Sequence, residues 1–216
     1  MSRITADILL EAYMCGVFPM AETRDADELF WVDPKHRGIL PLDKFHLPKS
    51  LIKTLRKQPF KVTVDKAFPL VIRSCAAPRA GHDESWINST IMSLYEELFE
   101  RCHVHSVECW QDDKLVGGLY GVSIGKAFFG ESMFSKQTDA SKIALCYLIA
   151  RMKAAGYTLL DTQFVTDHLK RFGTIEIERA DYLKRLDKAI QEPADFYSLS
   201  EDTSPSTILQ LITQTS

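Results

Sequence analysis

The sequence lacks the features that mark several specialised classes of protein. Its five cysteines are odd in number and include no C-x-x-C pair, which argues against a disulfide framework or a thiolate zinc cage. No apolar run approaches the roughly 20 residues that span a bilayer, and Asp7 precedes any long apolar run, unlike in a secretory signal. Internal repeats and low-complexity segments are also missing. We therefore expect a cytoplasmic, globular protein with free thiols, no thiolate zinc site and no membrane partner. We also expect a monomer without a bound metal.

The sequence does contain an uneven distribution of charge. Its formal net charge is only −3, but residues 35–66 hold nine Lys or Arg against two Asp, a local charge of +7. Residues 191–216 hold four acidic residues and no Lys or Arg. A local excess of cations binds a phosphate backbone even when the whole protein is weakly acidic. On charge alone, however, a basic face that is merely solvated is the better interpretation.

The succession of helical and strand patterns indicates an α+β fold in which a central sheet carries helices on both faces. Helices are predicted at 5–13, from 50, at 68–75, from 89, and at 139–153, 167–172 and 180–190. Strands are predicted at 60–64, 105–110, 115–122, 127–129, 157–165 and 175–177, with a polar loop at 78–83. The strands between 105 and 129 form an antiparallel meander. The segment from 191 onward is polar and proline-containing, which predicts a loosely attached tail.

A series of short strings runs along the chain from about residue 12 to about residue 183. They are Ala12-Tyr13, Gly16-Val17-Phe18-Pro19-Met20, Trp31 with Pro34 and Arg37, Ser85-Trp86-Ile87, His105-Ser106-Val107-Glu108, Leu115-Val116-Gly117-Gly118-Leu119-Tyr120-Gly121-Val122, Phe128 with Gly130-Glu131-Ser132-Met133-Phe134-Ser135, Ala140-Ser141-Lys142, Asp161 with Gln163, and His168-Leu169. In this order they resemble the leucyl/phenylalanyl-tRNA-protein transferase family. A single G-G-x-Y-G string would be weak evidence for the family. Its combination with G-E-S-M-F-S and D-x-Q, in this order, is highly specific for it.

The resemblance implies a GNAT-like catalytic domain at 47–190, a small N-terminal α/β domain at 1–46 and a polar C-terminal tail at 191–216. It implies transfer of Leu, Phe or possibly Met from aminoacyl-tRNA to proteins beginning with Arg or Lys, which marks them as N-degrons. No metal or organic cofactor is implied. The sequence departs from the family in its shorter N-terminus, in Phe30-Trp31 where two tryptophans are common, and in Thr174 where Ala is frequent.

Three polar residues are candidates for the chemistry. Asp161 and Gln163 are two apart on a predicted strand, so their side chains should share a face. A free α-amino group has a pKa of roughly 7.7–8.0, so a strong catalytic base is unnecessary. The resemblance implies that Gln163 accepts a hydrogen bond from the attacking amine, that Asp161 orients the amide or offsets positive charge, and that Glu131 holds the donor ammonium. Without the resemblance, polar residues closing a strand end would be the better interpretation of Asp161 and Gln163.

Donor and tRNA contacts are also implied by the resemblance. An apolar pocket would select Leu or Phe, and its candidates, each of which taken singly is more often plain core, are Leu119, Phe128, Met133, Leu145, Leu148 and Leu160. Stacking of Trp31 and Trp86 on the terminal adenosine would contribute about 1–3 kcal/mol per base, although both could instead pack the two domains together. The acceptor-stem phosphates would meet the basic block at Lys35, Arg37, Lys49, Lys53, Arg56 and Lys57.

Two alternatives remain open at this point. A coenzyme-A-dependent N-acetyltransferase of similar fold ranks low because the sequence has no R-x-x-G-x-G/A diphosphate loop. A non-catalytic tRNA-binding protein would be expected to lack Asp161, Gln163 or Glu131, and all three are present. His103 and His105 have no third ligand at a suitable spacing, so we interpret them as structural histidines.

Overall fold

The computed structural model describes residues 4–26, 28–78 and 85–214, and it confirms the α+β class. The described helices are α1 (Ala6–Met14), α2 (Lys49–Lys57), α3 (Phe68–Ala76), α4 (Ser89–Glu100), α5 (Ala140–Ala154), α6 (Asp167–Lys170), α7 (Arg179–Ile190) and α8 (Pro205–Thr213), with a 3-10 turn at Leu42–Lys44. The strands are β1 (Phe18–Ala21), β2 (Leu29–Val32), β3 (His36–Ile39), β4 (Lys61–Val64), β5 (Val104–Gln111), β6 (Lys114–Ile124), β7 (Ala127–Ser135), β8 (Leu159–Gln163) and β9 (Ile175–Glu178). The predicted loop at 78–83 falls almost entirely on residues 79–84, outside the described residues.

A seven-stranded sheet in the order β4-β5-β6-β7-β8-β3-β9 forms the centre of the molecule, and β1 and β2 form a separate hairpin. The predicted meander is confirmed as β5-β6-β7, whose first turn uses Asp112 and Asp113 at positive φ (48° and 58°). Two positive φ values are typical of the tight turns that match strand twist. Every pairing in the large sheet is antiparallel except β7 with β8, which are parallel.

Two apolar clusters cover opposite faces of the sheet. Helices α1, α3, α4 and α7 contribute to one cluster, and α2, α5 and α8 contribute to the other. The long helix α5 is buried along most of its length, as its nearly uninterrupted apolar sequence predicts. The sheet therefore carries helices on both faces, and the site described below lies between them.

The N-terminal segment is tied directly into the main sheet. β3 lies within the predicted N-terminal domain, yet it pairs with both β8 and β9. Gly38 permits this contact, since a Cβ there would stand 2.7 Å from the backbone carbon of Phe164. The domain boundaries at 46 and 190 stay predictions, but contacts of the central sheet cross the first of them.

The C-terminal segment is packed, and the prediction of a loosely attached tail was wrong. Phe196 is buried and stacks on His105 with ring centroids 4.0 Å apart. On α8, Ile208 and Ile212 are buried against the cluster that contains α5. Arg151 donates hydrogen bonds to the carbonyl oxygens of Phe196 and Leu199. A few apolar residues at the right spacing fix this segment although its average composition is polar.

Phe196→Ala should lower the free energy of unfolding by about 3–5 kcal/mol, because it leaves a cavity among stacked rings. Chemical denaturation followed by tryptophan fluorescence measures this change. Ser198→Ala, an exposed neighbour in the same segment, is the matched control and should stay within about 0.5 kcal/mol of the parent. Equal stability of the two variants would show that the segment does not support the core.

Among the described residues, no helix combines the length and the apolar character needed to cross a lipid bilayer.

Candidate active site

The site forms where two neighbouring strands of the sheet diverge. β7 and β8 pair only from Ala127 with Leu159 to Phe129 with Asp161, although β7 continues to Ser135. The divergence opens a cavity of about 630 Å³. Its wall consists of Trp86, Leu119, Tyr120, the six residues 130–135, Ser141, Leu145, Leu148, Leu160, Thr162, Gln163, Phe164, Thr166, His168 and Leu169.

A β-bulge places Glu131 in this wall. Tyr120 pairs with Ser132, and Gly121 pairs with Gly130, so Glu131 is an extra residue on β7. Bulges redirect side chains in this way. The Glu131 carboxylate is 9% exposed, and its Oε2 accepts a hydrogen bond of 3.0 Å from the Tyr95 hydroxyl. The Tyr13 and Tyr95 hydroxyls are hydrogen bonded to each other, which connects α1 to the site.

Gln163 joins the Glu131 carboxylate at the end of β8. Its Nε2 donates to Glu131 Oε1 at 2.7 Å, and its backbone has the left-handed φ of 60°. The amide nitrogen is therefore the atom of Gln163 that faces the carboxylate. The carbonyl Oε1 of Gln163 is thereby left for a ligand in the cavity.

Asp161 lies behind this pair and does not line the cavity. Its carboxylate accepts from the Gln163 backbone N–H at 2.7 Å, from the Tyr182 hydroxyl at 2.6 Å and from Arg37 at 2.7 to 3.0 Å. Asp161 thus contacts the backbone of Gln163 and not its side-chain amide. Asp161 positions the backbone of Gln163, and Glu131 binds the Gln163 amide in its place. Of the two roles expected of Asp161, these contacts support the orientation of Gln163.

The prediction for Arg37 needs correction, because its predicted contact with tRNA phosphates is wrong. Its side chain is 1% exposed and forms a bidentate pair with Asp161. The guanidinium also donates to the Gly16 carbonyl oxygen at 2.8 Å and lies 4.6 Å from the ring centroids of both Phe18 and Tyr182. Burial alone would lower the pKa of Arg37, but the Asp161 charge and hydrogen bonds raise it, so the group stays charged. No phosphate can reach it.

The environment of Glu131 brings its pKa close to neutral. Burial raises the pKa of Glu131 to about 7, against the opposing effect of the hydrogen bonds from Tyr13 and Tyr95. The nearby Asp161 charge raises it further, and the Arg37 charge lowers it. A carboxyl group with this pKa changes its ionisation within the physiological range, which suits an exchange of charge with a bound amine.

Five of the six predicted pocket residues meet in the cavity wall: Leu119, Met133, Leu145, Leu148 and Leu160. Leu145 and Leu148 come from the same face of α5. Phe128 is the exception, and its prediction is the second to need correction. It is fully buried and stacks on Phe196 with centroids 5.7 Å apart, away from the cavity wall. The phenylalanine supports the pocket through the core rather than lining it.

The two predicted adenosine-stacking tryptophans have different positions. Trp86 lines the cavity and is held through its carbonyl oxygen, which accepts from the Ala21 amide. Trp31 is 40% exposed on β2 and is not part of the cavity wall, so its stacking role stays a prediction.

Five of the six predicted phosphate contacts are exposed cations. Lys49, Lys53, Arg56 and Lys57 lie on the outer face of α2, whose inner face buries Leu51 and Leu55. Lys35 is exposed in the segment before β3. The Thr54 hydroxyl of α2 lies 3.5 Å from a carboxylate oxygen of Asp139, the residue directly before α5. The basic face is therefore beside the helix that carries Leu145 and Leu148.

Several residues of the site were missed by the sequence reasoning. Tyr13, Tyr95 and Tyr182 hold the carboxylates, and only Tyr13 lies in a string that drew attention. In the cavity wall, the polar atoms Tyr120 Oη, Thr162 Oγ1 and His168 Nε2 have no hydrogen-bond partner among the described residues. Burial, together with the Lys142 and Arg171 charges, lowers the pKa of His168 and keeps the ring neutral at pH 7. All three atoms are buried.

The described residues contain no group of three or more His, Cys, Asp or Glu side chains placed to hold a metal ion. His105 instead pairs with Asp65 at 2.7 Å and stacks on Phe196, which confirms the structural interpretation of this histidine.

The fold and the cavity define a protein of the α+β class with an apolar cavity beside a buried carboxylate and amide. The model of the leucyl/phenylalanyl-tRNA protein transferase family matches residues 39–187, and that of the family's N-terminal domain matches residues 2–35. The chain belongs to this family.

Curated relatives resemble the chain over almost its whole length. It is 55% identical over 212 residues to the leucyl/phenylalanyl-tRNA–protein transferase of Caulobacter vibrioides, which covers 98% of both chains. It is 58% identical over 196 residues to that of Paramagnetospirillum magneticum, covering 91% of this chain and 94% of the relative. The chain is also 54% identical over 216 residues to the leucyl/phenylalanyl-tRNA–protein transferase of Rhodopseudomonas palustris. This match covers 99% of this chain and 96% of the relative.

Proposed function

We propose that the protein transfers leucine or phenylalanine from aminoacyl-tRNA to the N-terminal amine of an acceptor protein. The observation that carries the proposal is the Glu131–Gln163 pair in the wall of an apolar cavity. Leu and Phe side chains offer nothing to a polar group, so an apolar wall of Leu119, Leu145 and Leu148 suits them. Met133 is unbranched and adapts to side chains of different shape, which also leaves room for a methionine donor.

The chemistry requires positioning more than a strong base, because the aminoacyl ester is already activated. The ionised Glu131 holds the ammonium group of the donor amino acid. Gln163 Oε1 accepts a hydrogen bond from the incoming amine and aims it at the ester carbon. A C–N bond forms, the C–O bond to the terminal ribose breaks, and the proton lost by the amine leaves with the ribose oxygen. Asp161 contributes through the backbone of Gln163.

Further features belong to the same proposal. The acceptors begin with Arg or Lys, and the added residue marks them for degradation as N-degrons. The protein acts as a cytoplasmic monomer without a cofactor. The order of the central strands and the divergence of β7 from β8 support the GNAT-like architecture. Trp86 stacks on the terminal adenosine, and the outer face of α2 meets the acceptor stem.

The test is incubation of the protein with radiolabelled leucyl-tRNA and peptides that begin with Arg, Lys, Asp or Ala. Label in the Arg and Lys peptides alone is the expected result. Label that appears in a peptide only when acetyl-coenzyme A is present would favour the N-acetyltransferase. Binding of tRNA without label in any peptide would favour the non-catalytic tRNA-binding protein.

Gln163→Ala and Trp86→Ala should have opposite effects on catalysis and binding. Loss of the Gln163 carbonyl should lower kcat at least tenfold with little change in the Kd for leucyl-tRNA, because the contact forms with the attacking amine. Loss of the Trp86 ring should weaken tRNA binding by about 1–3 kcal/mol. Single-turnover kinetics and filter binding separate the two effects. Equal losses of binding in both variants would contradict these roles.

Lys53→Ala with Arg56→Ala should weaken binding of every tRNA, charged or uncharged, and should lower the slope of log K against log salt by about 0.9 per lost phosphate contact. The effect follows from the exposed cations on α2. Lys188→Ala, which removes an exposed charge from α7, is the matched control. An unchanged salt slope in the double variant would mean that this face is only solvated.

A further inference from the structure

One edge of β7 is open where it borders the cavity. β8 stops pairing with β7 after Phe129, and the next six residues of β7, 130–135, all line the cavity. Only β6 pairs with this stretch among the described residues. A strand edge of this kind presents unpaired N–H and C=O groups to whatever enters the cavity.

The ladder between β6 and β7 determines which backbone groups face the open edge. The Lys136 N–H donates to the Val116 carbonyl oxygen at 2.7 Å, so the backbone groups of Lys136 point at β6. In an antiparallel ladder, residues that point at the partner strand alternate with residues that point away from it. The N–H and C=O groups of Met133 and Ser135 therefore point into the cavity edge. No backbone partner on that side occurs in the described part of the chain.

We propose that the N-terminal segment of the acceptor polypeptide binds this edge as an added β-strand. Its amine lies at the Glu131–Gln163 end, and its chain runs along β7 past Met133 and Ser135. The stretch from Glu131 to Ser135 spans roughly 14 Å at about 3.4 Å per residue, enough for about four acceptor residues. This inference rests on the proposed function and deepens it by naming how the acceptor is held.

The acceptor fits this edge better than the donor does. In the proposed function the donor side chain contacts the apolar wall on α5 and the donor nucleotide stacks on Trp86, and both lie in the cavity wall. Acceptor proteins differ in sequence after their first residue, so the groups that they share are those of the main chain. Backbone pairing with a strand edge recognises those groups and tolerates any side chain. A ribose-phosphate chain has no alternating N–H and C=O groups to match Met133 and Ser135.

Synthetic acceptor peptides test the pairing directly. A parent peptide beginning Arg-Ala-Ala-Ala is compared with two versions, N-methylated at residue 3 or at residue 4, in transfer assays with saturating leucyl-tRNA. Only one of these two amides can face β7. We expect one version to raise the KM for the peptide about tenfold, the effect of one lost hydrogen bond, and the other to change it less than twofold. Equal KM values for the two versions, whether raised or unchanged, would overturn the inference.

The two proposals fail in different ways. If the parent peptide is not leucylated, the proposed transferase function fails. If it is leucylated but the N-methylated versions behave alike, only the strand pairing fails.

A variant of the protein gives a second measurement. Ser135→Pro removes an N–H that faces the open edge and not β6, a position at which strands tolerate proline. It should raise the KM for the parent peptide at least fivefold above the value for Ser135→Ala. Ser135→Ala is the control, because it removes only the hydroxyl, which accepts from the Ser141 amide and donates to the Gln137 carbonyl oxygen. Equal peptide KM values in the two variants would contradict the pairing.

Discussion

Arg37→Met is expected to lower the free energy of unfolding by about 3–5 kcal/mol, the usual cost of removing one partner of a buried ion pair. The substitution leaves the Asp161 carboxylate buried with only the Tyr182 hydroxyl and the Gln163 backbone N–H as partners. It also removes the cation that lies between the rings of Phe18 and Tyr182. Domains of this size have about 5–15 kcal/mol of stability in all, so the loss is a large fraction of it.

Urea unfolding followed by fluorescence measures this loss. Lys35→Met is the matched control, because Lys35 belongs to the same basic block but is exposed, and it should stay within about 0.5 kcal/mol of the parent. If Arg37→Met folds poorly, the double variant Arg37→Met with Asp161→Asn should recover part of the stability, since it removes the uncompensated charge. A stable Arg37→Met protein that binds tRNA weakly would instead restore the role in phosphate binding.

The assignment of Arg37 shows a limit of sequence reasoning about charge. Arg37 stands in a block with a local charge of +7, and nothing in that block distinguishes it from Lys35. Its burial depends on Asp161, which lies 124 positions away in the chain. Pairing over such a distance leaves no local pattern. The cations of α2 were easier to place, because Leu51 and Leu55 mark the buried face of the same helix.

Features that depend on local signals were predicted well. Thr5 accepts from the Ile8 amide at the start of α1, and Gly16 follows the helix at a φ of 79°. Asp139 precedes α5, and Gly156 follows it. The start of α4 was misplaced by one residue, since Asn88 and not Ser89 is its cap. Caps, turns and periodicity act over a few residues, and a sequence shows them directly.

The geometry of the candidate site depends on two departures from regular strand structure. Gln163 ends β8 at a φ of 60°, and its side-chain amide binds Glu131 rather than Asp161. Glu131 contacts Gln163 from a β-bulge, and no local sequence pattern predicts this bulge. Non-glycine residues at positive φ and bulges concentrate where function requires a side chain to be redirected. The residues of the site could therefore be predicted from the family's motifs, and their partners could not.

Glu131→Gln should reduce kcat/KM for leucyl-tRNA on the order of 100-fold, because a buried charged hydrogen bond to the donor ammonium contributes about 1.5–3 kcal/mol. The parent enzyme should gain activity as the pH rises through about 7, where Glu131 ionises. A second rise should follow near the pKa of the acceptor amine, roughly 7.7–8.0. The variant should keep the second rise and lose the first. A pH profile of kcat/KM that is identical in shape for the two proteins would remove Glu131 from donor binding.

Stability measurements separate this effect from damage to the fold. Burial raises the pKa of Glu131 from 4.5 to about 7 in the folded protein, so the fold favours the protonated carboxyl group. The contribution of this group to stability is therefore complete below about pH 4.5 and is lost as the pH rises through about 7. At pH 8 the parent must bury a charge that the glutamine variant does not carry. Glu131→Gln should thus unfold at an equal or higher urea concentration than the parent at pH 8 while remaining nearly inactive. This combination is expected when a buried carboxylate serves the reaction and does not stabilise the fold.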